Sequence, residues 1–86
     1  MPYIDQETRK LYSRITDAID NTSDILCKGD LEFLVFYLMK KFMKERQVKY
    51  ATLHDCVYGV YHASHEFERQ YLDKREDEAK AKNGDI

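Results

Sequence analysis

One proline, Pro2, and three glycines, Gly29, Gly59 and Gly84, are spread over 86 residues. Almost nothing interrupts a helix, because these two residue types are the strongest local breakers. Long alternations of β-branched and polar residues, the mark of half-buried strands, are missing as well. The two cysteines, Cys27 and Cys56, form no metal-ligand pair by spacing. They read as small buried hydrophobes in a reducing compartment. A net charge of −2 supplies no bulk pull toward nucleic acid or a membrane surface. No apolar run approaches the roughly 20 residues that span a bilayer. The opening MPYIDQETRK lacks the apolar centre of a signal peptide. Cytoplasmic residence is the resulting expectation. There is no internal repeat, no linker and no glycine-rich loop to cradle phosphate. Ser13, Ser23 and Ser64 sit on no strained nucleophile turn, and Ser64 and His65, adjacent in sequence, point to different helix faces. Catalysis is therefore the least supported class.

What is present is a balance of 43% hydrophobic and 35% charged residues, which suits a folded chain. Its most informative segment is Leu31 to Met43, LEFLVFYLMKKFM, where ten of thirteen residues are apolar. Wound as a helix, it has only a thin polar strip and needs cover on almost every side. A chain this short buries only about 60–65% of its unfolded surface, so it has little to cover that helix with. A second copy is the usual remedy. The expectation is a homo-oligomer, with a dimer favoured, whose interface uses Phe33, Phe36, Tyr37 and Met43.

The pattern predicts one domain over 1–86 with three helices. Asp5 caps the first, and Leu11, Ile15, Ala18 and Ile19 follow at helical spacing. Asn21 to Asp24 weakens it, and Lys28-Gly29 reads as a stop. Asp30 is the expected cap of a second helix running from Leu31 to about Arg46. Val48-Lys49-Tyr50 is a connector, and Thr52, with Asp55 three residues on, is the expected cap of the third. That helix is the longest. Leu53, Cys56, Val57, Val60, Ala63, Phe67 and Tyr71 form one face of it. Gly59 lies inside it at a cost of about 1 kcal/mol relative to alanine, which suggests close approach by a neighbouring helix. From Asp73 onward apolar residues nearly vanish, and 73–86 is a charged helical extension or a frayed tail. Opposite charges such as Glu76 and Lys80 stand four apart there. The fold class is all-α: a small three-helix bundle or hairpin with a long C-terminal helix.

The two ends and the middle carry a further pattern. The chain opens Met1-Pro2-Tyr3-Ile4. Gly29-Asp30-Leu31 precedes the apolar helix and Tyr50-Ala51-Thr52-Leu53 precedes the next. Gly59, Glu66-Phe67, Arg69 and Glu76-Asp77 follow, and the chain closes Asn83-Gly84-Asp85-Ile86. This resembles a family of short uncharacterised proteins, a domain of unknown function, from tailed bacteriophages and bacteria. Members of that family start MPYI, carry G-x-L-N-Y or G-D-L-N-Y before the second helix and Y-A-T or a similar triplet before the third, then E-F-Y-R-R, and end near N-G-D-V-Y. The resemblance covers essentially the whole chain. Phe33 departs from it after the glycine motif, Glu68 and Gln70 replace members of the Tyr-Arg-Arg stretch, and the terminal tyrosine is absent. Of any aromatic-basic cluster the family uses there, only Arg69 survives. The resemblance implies origin and length, with the cytoplasm of a bacterial host as the setting, and it carries no catalytic role.

Two constellations suggest chemistry. His62, His65 and Glu66 share a helix face at spacings that could grip a metal ion, with His54 eight residues earlier. A zinc site wants three or four ligands, the fourth is not evident, and the order differs from H-E-x-x-H. Solvated histidines beside carboxylates are the favoured reading, and no metal or cofactor is expected. Lys40, Lys41, Lys44, Arg46 and Lys49 cluster at the end of the second helix, opposed only by Glu45. They could bind phosphates, with Tyr37, Phe42 and Tyr50 available for stacking. Cations at a helix C-terminus also meet its negative dipole end, and that structural reading is favoured. Seven tyrosines suit packing and interfaces. Acid pairs such as Asp17–Asp20 and Glu66–Glu68 read as ordinary surface. The expected function is a non-catalytic binding module with a protein partner, such as a host protein. The alternative is capture of an anionic nucleotide between subunits by Lys40, Lys41, Lys44, Arg46 and Arg69. A metal-dependent enzyme at His62 and His65 ranks third.

Overall fold

The computed structural model describes residues 2–86 and is all-α, with no strand among the described residues. Five α-helices occur in the order α1 (Gln6–Lys10), α2 (Ser13–Asp20), α3 (Lys28–Met43), α4 (Tyr50–Phe67) and α5 (Asp73–Asn83). A π-helical turn, Glu68–Leu72, joins α4 to α5, so helical backbone runs on from Tyr50 to Asn83. None of the helices is long and apolar enough to cross a membrane.

The expected first helix is divided in two. Asp5 caps α1 as its sequence position suggests, its carboxylate accepting the Thr8 N–H at 2.7 Å. At Leu11 and Tyr12 the backbone tightens to i→i+3 bonds, on Thr8 and Arg9 carbonyls, and α2 starts afresh.

Three expected boundaries are corrected. Lys28-Gly29 is not a stop but the first turn of α3, because Gly29 keeps the ordinary negative φ of a helix. Cys27 occupies the N-cap position, and Asp30 sits within the first turn, where a carboxylate meets the positive dipole end. Met43 rather than Arg46 ends α3. Arg46 folds back, donates to the Phe42 carbonyl and lays its guanidinium 3.8 Å above the Phe42 ring. It thus satisfies one of the carbonyls a helix end leaves open. Thr52 is not the N-cap of α4 either. Lys49 is, and Thr52 serves from the third position, its hydroxyl accepting the Lys49 N–H at 3.1 Å and donating to the Gln47 carbonyl at 2.6 Å.

The charged tail is helix rather than frayed end. Gly84 closes it at φ 93°, a conformation that suits glycine, and its N–H reaches the Lys80 carbonyl at 2.8 Å. The Lys80 side chain pairs with Asp85 at 3.4 Å instead of bridging back to Glu76.

Between separate helices, packing is concentrated in the α3–α4 pair. Val35, Met39 and Met43, four apart on α3, are half-buried, as are Thr52 and Val60 on α4. Cys56 between them is the one buried residue among those described, at 8% exposure, and its thiol donates weakly to the Met39 carbonyl at 3.7 Å. The rest of the foreseen apolar surface finds no cover in its own chain. Leu11, Ile15 and Ile19 on the N-terminal helices and Leu53, Val57, Phe67 and Tyr71 on the long one are exposed. Accessible surface totals 8456 Å² where a folded monomer of 10.3 kDa exposes about 5,400 Å². The radius of gyration, 16.6 Å, exceeds the roughly 12 Å of a compact 86-residue domain.

Candidate functional site

Three polar or aromatic assemblies stand out. The first lies at the C-terminal end of α3. Four-residue spacing puts Tyr37, Lys41 and Lys40–Lys44 on adjoining rows, and Tyr37, Lys40, Lys41 and Lys44 line one open cavity of about 450 Å³. Phe33 packs on Tyr37 with ring centroids 6.2 Å apart. Of the five basic residues expected to act together, the fold joins these three. Arg46 is occupied with Phe42, and Arg69 belongs to a different assembly.

That second assembly forms where α4 passes into the π-helical turn. Arg69 grips Glu66 through three contacts, Nε to Oε1 and Oε2 at 3.1 Å each and Nη2 to Oε1 at 2.6 Å. Tyr3, in the extended segment before α1, donates its hydroxyl to Glu66 Oε1 at 2.9 Å and accepts from Gln70 Nε2 at 2.7 Å. One phenol thus ties the N-terminal segment to residues 63 and 67 positions away. Electrostatics follow the bonding. The hydrogen bonds from Arg69, and then from Tyr3, hold Glu66 below the usual carboxylate range. The hydrogen bond Tyr3 gives to Glu66 pushes its phenol up. Glu66 in turn raises Arg69 further. A carboxylate so engaged, with its partner cation consumed, is committed to structure. A cavity of about 410 Å³ beside it is lined by Pro2, His62, His65 and Glu66. Among the described residues, no three His, Cys, Asp or Glu side chains come together as a metal-holding group.

The third assembly is an exposed ladder of rings along α4. Tyr50, His54, Tyr58 and His62 recur every four residues, with centroids 5.8, 4.2 and 6.1 Å apart. Tyr61 branches from Tyr58 at 5.8 Å and lies parallel to His65 at 6.0 Å. Reading the tyrosines and histidines as separate groups missed this row. The exact recurrence of a ring at every fourth position was the available signal. Sequence reasoning also missed the Tyr3–Gln70 contact, which no local spacing encodes.

The four expected interface residues divide. Phe33, Phe36 and Tyr37 are about two-thirds exposed, at 66, 66 and 65%, whereas Met43 is half-buried. Beside them, an apolar groove runs between α3 and α4. One part, about 310 Å³, is lined by Val35, Leu38, Met39, Phe42, Cys56 and Gly59 among others. Another, about 630 Å³, includes Leu31, Phe36 and Phe67 and shares Val35, Met39, Val60 and Ala63 with the first.

No curated protein and no solved structure matches the chain. A family model described as a domain of unknown function, DUF6899, matches residues 1–86, and the chain belongs to that family.

Proposed function

We propose that the chain is a non-catalytic helical interaction module of phage origin, active in the host cytoplasm as a homo-oligomer and binding a protein partner. The observation that carries this reading is the exposed apolar surface of α3. Phe33, Leu34, Phe36, Tyr37 and Leu38 all stand open along one helix. A soluble monomer rarely leaves so much contiguous apolar area uncovered, and such patches mark association sites. The surplus of about 3,100 Å² over a compact monomer is ample for the 1,000–2,500 Å² that each copy contributes to an obligate dimer. The phage setting rests on the resemblance of the MPYI opening and the Asn83-Gly84-Asp85 close. Sedimentation velocity at low micromolar concentration tests the oligomer, with a dimer expected. A stable, cooperatively melting single subunit would remove the proposal. Co-purification from host lysate, compared with a Phe36→Glu variant, tests the protein partner, and equal capture by both would argue against this surface.

A second reading is favoured by the cavity that joins Tyr37 to Lys40, Lys41 and Lys44. Three cations and a ring suit the phosphates and base of an anionic nucleotide. A panel of mono-, di- and cyclic nucleotides should then raise the melting temperature by mass action. No shift at millimolar ligand excludes it.

A further inference from the structure

We infer that the groove between α3 and α4 is the seat of α3 from a second copy, entered by the row Leu34–Leu38–Phe42 and closed against Gly59. This seat presupposes the self-association proposed above and locates it. Leu34, Leu38 and Phe42 stand four apart on one ridge of α3, and all three are exposed. The groove spans Leu31 to Phe42 along α3, about 16 Å or three helical turns. The ridge, about 12 Å from Leu34 to Phe42, fits within that length. Leu38 and Phe42 also form the α3 wall of the groove, so ridge and groove adjoin along one helix, and a two-fold axis sets each copy's ridge against the other's groove.

Charge fixes the direction. Asp30 and Glu32 stand near the start of α3, where Lys28 pairs with Glu32 at 3.7 Å and leaves that terminus with one net negative charge, and Lys40, Lys41 and Lys44 stand near its end. An antiparallel pair of α3 helices sets the acids of one copy beside the lysines of the other and opposes the two helix dipoles. A parallel pair would stack like charges.

Gly59 supplies a further fit. Its backbone is ordinary helix, and a Cβ built there meets nothing within 4 Å. The chain's own packing thus gives no reason for a glycine, which weakens a helix interior relative to alanine. Cys56 and Ala63, three before and four after, line the same groove and are also small. Together they leave room for a partner backbone to come close, which a single copy does not use.

The test combines sedimentation with a native label. The intact chain should dimerise at low micromolar concentration. Gly59→Leu adds a side chain that a single copy has space for, so it should keep its helical circular dichroism at concentrations where it is dimeric. In the seat it should raise the dimer dissociation constant roughly tenfold or more. Ala79→Leu, on α5 outside the groove, should change it less than about twofold by the same scale. Alkylation of the unaltered protein reports independently, even if Gly59→Leu fails to fold. Cys56 lines the groove and is 8% exposed in a single copy, so a partner in the seat closes the access that remains, while Cys27 is exposed and lies outside it. The ratio of Cys56 to Cys27 labelling should fall as rising concentration fills the seat. A dimer with Gly59→Leu indistinguishable from Ala79→Leu, or with a concentration-independent labelling ratio, overturns the seat and leaves self-association standing. A wild-type monomer overturns both.

Discussion

If folding requires the second copy, dilution alone should lower the melting temperature. The described residues of a single copy bury Cys56 and nothing else, so the isolated chain has almost no core to hold it folded. Dissociation and unfolding then coincide, and mass action links Tm to total concentration. The size follows from chain length. Unfolding absorbs about 0.7 kcal/mol per residue near 60 °C, so two copies of 86 residues absorb about 120 kcal/mol. With that enthalpy, each tenfold dilution lowers Tm by about 4 °C. Melts followed at 222 nm (the helical band) from 100 to 1 μM should therefore drift down by about 8 °C in total on the same reckoning. A Tm constant within about 1 °C over that range would refute the coupling. It would mean that the α3–α4 pair is stable alone.

Four further outcomes are expected. Tyr3→Phe removes the hydroxyl shared by Glu66 and Gln70, so amide exchange should quicken in the segment before α1 while α3 is unchanged. Because the Tyr3 phenol is raised, the clasp is complete below the ordinary tyrosine pKa of 10.0 and is lost as pH climbs through the raised value, which absorbance of tyrosinate should reveal as one late-titrating ring. Asp5, held down by the Thr8 N–H, supports α1 above the ordinary carboxylate pKa of 3.8 and loses that support as pH falls through its lowered value. The Thr8 amide resonance should titrate below 3.8, and Asp5→Ala should abolish the step. Gly84→Ala forces a Cβ into a φ of 93° at a cost of about 1–3 kcal/mol, so the end of α5 should fray, seen as faster exchange of the Gly84 amide's replacement and of residues near Lys80.

Much of the secondary structure was legible because it rests on local physics. The lack of breakers, the Asp5 carboxylate three residues before Thr8, and the four-spaced Cys56 and Val60 each act within one or two turns. Two of the misjudged boundaries, the starts of α3 and α4, share a cause. Gly29 and Thr52 are residues whose chemistry serves either at a helix terminus or just inside it, and only the neighbours, Cys27 and Lys49, decide which. The break at Leu11 and Tyr12 has no breaker in its sequence.

By itself the sequence determined that this chain is helical, that the segment of α3 is apolar on nearly every side, and that the residues after Asp73 carry almost no apolar surface to bury. These are consequences of composition and periodicity, which act on each helix separately. Only the tertiary structure decided which chemistry assembles. It drew Arg69 to Glu66 and away from the lysines, brought Tyr3 across 67 positions to Gln70 of the π-helical turn, and left Gly59 facing open space. Such outcomes depend on how helices cross, and crossing is set by the sum of many weak contacts that no single spacing along the chain records.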